Sequence, residues 1–166
     1  IDPPPEDGAR SGDHRFHRDL PASRIWGFEG TVPGPTIEAD RGLPVTVEWR
    51  NELGNSFLPN DPTIMGAVMP GEPARMVAHL HGGENHPQFD GTPDTWFTAN
   101  GIHGPEFVSN DYTQPSSNQS AAFWYHDHVF GATRLDVGMG LSGFSILRDP
   151  NNALDRLGNS DILGME

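Results

Sequence analysis

The sequence predicts an all-β domain, a Greek-key sandwich or barrel with long loops and at most short helices. Three observations carry this. Apolar residues recur at every second position in short runs, as in Val45-Thr46-Val47-Glu48-Trp49-Arg50-Asn51, which is the mark of a half-buried strand. Glycine (20) and proline (16) together make 36 of 166 residues, well above the roughly 12% average, and they are spread along the chain as turn punctuation. No amphipathic helix longer than about ten residues stands out.

Each element follows from local chemistry. Residues 1–23 are polar and proline-rich, with His14 and His17, and read as an extended arm. Arg24 to Gly30 forms a first strand. Thr31-Val32-Pro33-Gly34-Pro35 is a turn, because Pro-Gly-Pro continues neither a helix nor a central strand. Thr36 to Ala39 is a short second strand, and Val45 to Asn51 the third. Residues 53–73 carry glycine, asparagine, aspartate and four prolines, so they form a long loop. Arg75 to His81 is a strand that ends at Gly82-Gly83. Residues 84–118 are loop with only short regular pieces. Ala121 to His128 is a strand, residues 129–138 suit a short helix, and Gly140 to Asp149 holds the last strand. The domain therefore spans residues 24–149, and residues 150–166 read as a tail or linker toward a further domain.

Composition narrows the chemistry. The chain has no cysteine, so neither a disulfide nor a thiolate ligand is available. Ten basic against 23 acidic residues give a net charge of −13. That balance argues against nucleic acid, whose phosphates need a basic face. No apolar run of about 18 residues is present, so no transmembrane helix is expected.

The histidines carry the functional signal. Of eight, four fall in His79-Leu80-His81 and His126-Asp127-His128, each pair closing an expected strand. On a strand, residues i and i+2 project from one face, roughly 6.5 Å apart at Cα. Two such imidazoles can converge on one metal or serve two adjacent metals, and strand spacing does not choose between these. A single His-x-His pair is a weak signal; two of them, each ending a strand, are a specific one. Imidazole suits copper, zinc, iron and nickel. Gly82-Gly83 behind the first pair permits close approach of another segment. Phe123-Trp124-Tyr125 ahead of the second pair reads both as core packing and as a shell that excludes water from the ligands. His86, His103, His14 and His17 read as surface residues, Met139 as core, and Trp96-Phe97 as a loop anchor.

At these motifs the sequence resembles the multicopper oxidases, in the branch containing bacterial spore-coat laccase, bilirubin oxidase and phenoxazinone synthase. His79-Leu80-His81-Gly82-Gly83 matches that family's first copper motif. Trp124-Tyr125-His126-Asp127-His128 matches the second, followed by Thr133-Arg134-Leu135. Trp26-Gly27, Pro33-Gly34-Pro35-Thr36, Asp90-Gly91, Pro93 and Trp96-Phe97 also match. The resemblance covers about residues 24–149. It implies an eight-stranded cupredoxin-like Greek-key sandwich, the N-terminal domain of an oxidase that reduces O2 to water at a trinuclear copper cluster. It implies His79 as a ligand of the type 2 copper, His81 and His126 as ligands of one type 3 copper, and His128 as a ligand of the other. Asp90 resembles an acidic residue that assists proton delivery. The family also implies an extracytoplasmic location.

This sequence departs from the family in two ways. The type 1 copper site needs a cysteine that is absent here, and two further His-x-His pairs are missing. The chain would then hold half a cluster and be inactive alone. Its expected partners are the remaining cupredoxin domains of the parent oxidase, O2, and a second copy of itself through the histidine face. Two rivals remain: a non-catalytic cupredoxin domain for assembly or copper binding, and a mononuclear zinc site, which would need an open coordination position beside a general base.

Overall fold

The computed structural model describes residues 6–152. Among the described residues there are ten strands: β1 (Glu6–His14), β2 (Ser23–Phe28), β3 (Gly34–Asp40), β4 (Val45–Asn51), β5 (Arg75–Met76), β6 (Ala78–His81), β7 (Phe97–Thr98), β8 (Asp111–Gln114), β9 (Ala121–Asp127) and β10 (Ser142–Arg148). One short helix, α1 (Thr133–Met139), and a single 3-10 turn at Pro87–Phe89 complete the set. Eight of the strands form two four-stranded sheets, ordered β2-β1-β4-β8 and β3-β10-β9-β6, while β5 and β7 pair separately. The sandwich that the periodicity predicts is present. The tail expected over 150–166 falls, from residue 153, outside the described residues.

Residues 6–14, expected within an extended arm, are strand β1 inside the first sheet. It pairs antiparallel with β2 and parallel with β4. Its sequence carries no apolar alternation; of its described residues, the small Gly8 and Ala9 are buried. Backbone hydrogen bonds on both sides hold it, and these leave no trace in side-chain pattern. The expected strand 75–81 is split at Val77. β5 pairs with β7, whereas β6 pairs with β9, so the chain changes sheets in mid-run.

The core lies between the sheets. β4 buries Val47, Trp49 and Asn51 on one face, as its alternation requires. Phe28, Trp49 and Tyr125 form an aromatic cluster from both layers, with ring centroids 5.0–5.2 Å apart. Tyr125 is fully buried, and its hydroxyl donates to the Pro35 carbonyl at 2.6 Å. Gly143 on the neighbouring strand makes room for it: a Cβ there would lie 2.3 Å from the Tyr125 Oη. Met139 packs against this core, as expected.

Candidate metal centre

The register of two strands assembles the cluster. β6 and β9 run antiparallel with His79 opposite His126 and His81 opposite Trp124. Directly opposed residues share one face of a sheet, so the first pair and His126 project together from the outer side of the second sheet. His128 lies just past β9, and its N–H donates to the Val77 carbonyl at 3.0 Å. The ligand atoms of His79, His81 and His126 all lie within 4.8 Å of one another, a spacing that could hold a metal ion. The His128 ring stacks on His79 with centroids 4.6 Å apart and stands 5.5 Å from His126. The structure thus brings together all four histidines of the two pairs.

Backbone carbonyls fix how these rings present their nitrogens. His79 Nδ1 lies 2.5 Å from the Asp90 carbonyl, and His128 Nδ1 lies 3.2 Å from the Gly91 carbonyl. His126 Nδ1 faces the Asp127 carbonyl at 2.7 Å. Carbonyls only accept, so each Nδ1 carries the proton and each Nε2 keeps its lone pair for a metal. His81 is held differently. Its Nδ1 faces His126 Nε2 at 3.2 Å, and two such nitrogens are reconciled by a proton or a metal between them. Trp124, 38% exposed, stacks on His126 at 4.1 Å and on His81 at 5.5 Å.

Two consecutive carbonyls, those of Asp90 and Gly91, therefore orient the stacked pair. Gly91 has φ +69°, and a Cβ there would stand 2.0 Å from the Ala78 carbonyl oxygen. Only glycine lets this loop pass so close behind β6. The Asp90 carboxylate is 3.7 Å from His79 Nδ1, with 31% of its side chain exposed. It is thus part-exposed beside the cluster.

Burial, followed by the neighbouring histidines, holds the His126 pKa below its ordinary value; burial and His79 do the same for His128. Both rings are kept neutral and ready to ligate. The sign follows from linkage. Between the depressed folded value and the unfolded value near 6.5, the unfolded chain binds more protons, so acid withdraws stability across that window. In the metal-free chain, proton NMR should give His126 and His128 midpoints below the ordinary imidazole value of about 6.5. Midpoints at or above that value would contradict the assignment.

Sequence reasoning passed over one pair beside the cluster. Asp127 is 0% and Asp136 3% exposed. Burial pushes both carboxyl pKa values up, and the charge of Asp127 adds to the rise at Asp136. Both Asp127 oxygens accept from backbone N–H groups, so the proton the two carboxyls share sits on Asp136, which donates a hydrogen bond to Asp127. The signal was present in the sequence: an acidic residue inside a strand that is otherwise aromatic and histidine-rich. His86 and His103 are exposed and lie outside the cluster; His103 stacks on Phe107.

A two-sheet β-sandwich with converging imidazoles on its outer face defines a metal-binding domain of the cupredoxin type. The family model of the multicopper oxidases matches residues 12–60. The multicopper oxidase LPR1 homolog 1 of Oryza sativa subsp. japonica is 43% identical over 143 residues, covering 82% of this chain and 25% of its own length. The laccase of Bacillus subtilis is 43% identical over 141 residues, covering 82% of this chain and 28% of its own. Among solved structures, the multicopper oxidase of Pediococcus acidilactici superposes with a TM-score of 0.65 at 22% identity, over 87% of this chain and 25% of that one. The chain belongs to the multicopper oxidase family. It spans about a quarter of the length of these relatives. The family's metal is copper, and the neutral all-imidazole donor set found here fits it.

Proposed function

We propose that this chain is the cupredoxin domain that supplies half of the histidine ligands of a trinuclear copper cluster in a laccase-like oxidase. The convergence of His79, His81 and His126 within 4.8 Å carries the reading. His81 and His126, whose nitrogens face each other at 3.2 Å, would share one type 3 copper. His79 would hold the type 2 copper and His128 the second type 3 copper. Copper bound there would supply the one-electron chemistry by which O2 is reduced to water. Asp90, part-exposed and 3.7 Å from His79 Nδ1, would pass protons toward the site. The outer face beside the cluster exposes Trp124 (38%) and Phe144 (53%), cross-strand partners. That suits it to pack against a further cupredoxin domain bearing the remaining ligands, or against a second copy of this chain. An extracytoplasmic location belongs to the same reading.

Calorimetric titration of the chain with Cu2+ and Zn2+ tests it. Copper should bind more tightly, as imidazole sites prefer, and an H81A/H126A variant should lose binding at least tenfold. The loaded chain should show no intense blue colour and oxidise no phenolic dye, because it has no cysteine for a type 1 site. Tighter zinc binding with ester hydrolysis would sink the proposal, and so would unchanged copper binding in the double variant.

A further inference from the structure

The one buried charged group in the second histidine pair is Asp127, between the two ligand candidates. Its carboxylate accepts from Val77 N–H through Oδ2 and from Val129 N–H through Oδ1, both at 3.1 Å. Val77 lies two residues before His79, and Val129 directly follows His128. One side chain therefore ties the start of the first pair to the end of the second. It does so where the chain changes sheets, a point that no strand ladder covers. Backbone bonds close the same knot: His128 N–H donates to Val77 O at 3.0 Å and Asp127 N–H to Leu141 O at 3.0 Å. Asp136 backs it from α1. Its carbonyl accepts Leu141 N–H at 3.1 Å, and its carboxyl is hydrogen-bonded to Asp127.

We propose that Asp136 is a positioning residue for the copper cluster, acting through Asp127 to hold the two histidine pairs in the register that brings their rings together. The proposal rests on the copper reading above. With both oxygens of Asp127 taken by backbone N–H groups, a further donor fixes the carboxylate against rotation. Without that donor, the carboxylate is a buried charge with one partner fewer. It then turns toward whatever solvent it can reach and releases Val77 or Val129. The imidazoles on either side move with them. Groups that orient ligands in this way typically change metal affinity ten- to a hundredfold.

Two variants of the chain separate this role from simple support of the fold. Asparagine keeps an N–H donor toward Asp127, so Asp136→Asn should retain copper affinity within about twofold of wild type. Asp136→Ala should lose at least tenfold. In the metal-free state the ring nitrogen resonances of His126 and His128 should shift in Asp136→Ala and not in Asp136→Asn. Near-UV circular dichroism shows whether each variant is folded. A folded Asp136→Ala with wild-type affinity and unshifted rings would overturn the proposal. Should Asp136→Ala not fold, Asp136→Asn decides alone: wild-type affinity upholds the donor role, and a large loss refutes it. If the wild-type chain bound no copper, the copper reading would fail, while the ring resonances would still decide whether Asp136 positions the histidines.

Discussion

Copper affinity is expected to fall ten- to a hundredfold when Gly91 is replaced by alanine. The added Cβ would stand 2.0 Å from the Ala78 carbonyl oxygen and 3.0 Å from the His79 Cα, both backbone atoms that cannot turn aside. The positive φ of +69° adds strain for any residue with a Cβ. The loop must then withdraw from β6. It carries the two carbonyls that hold the Nδ1–H groups of His79 and His128. Once freed, each ring can present either nitrogen and can rotate. Titration calorimetry measures the affinity, and imidazole nitrogen shifts in the metal-free variant should report mixed tautomers at both residues. Wild-type affinity with single tautomers would show that the carbonyls do not orient the rings.

Replacement of Trp49 by alanine is expected to cost about 3–5 kcal/mol, the range for deleting a buried large aromatic. Small domains are stable by only about 5–15 kcal/mol in total, so much of the chain should be unfolded in mild denaturant. Trp49 is 1% exposed and contacts Phe28 and Tyr125, which join the two sheets. Its loss leaves a cavity at the layer interface. Trp49→Phe should cost only about 1–2 kcal/mol. Its ring keeps most contacts and removes an indole N–H that has no acceptor among the described residues. Urea unfolding followed by circular dichroism measures both. Equal losses in the two variants would contradict the packing argument.

The sandwich was legible because its strands bury one face, as Val47 and Trp49 show. The metal centre was legible because a His-x-His pair puts both rings on one side of a strand. Strand β1 was not, since pairing of its backbone with β2 and β4 requires no apolar code. Nor was the break at Val77: the run 75–81 reads as continuous, and only tertiary pairing decides that β5 and β6 join different partners. The roles of the Asp90 and Gly91 carbonyls were hidden for a similar reason. Main-chain oxygens are the same at every residue, and only Gly91, the residue that permits the close approach, left a mark. Asp127 was visible as a letter between two histidines but not as a tie between two strands.

The opposition of His79 to His126 has a consequence for how the molecule is made. Side chains alternate faces along a strand, so a slip of one residue between β6 and β9 would turn the second pair inward, away from the first. A misaligned chain would keep His79 and His81 together but lose His126 from beside them, so it would offer copper two imidazoles in place of the converging set. Copper should therefore favour the correct alignment over the slipped one. Copper added during refolding should draw the population toward the native alignment, to the extent that it binds that alignment more tightly.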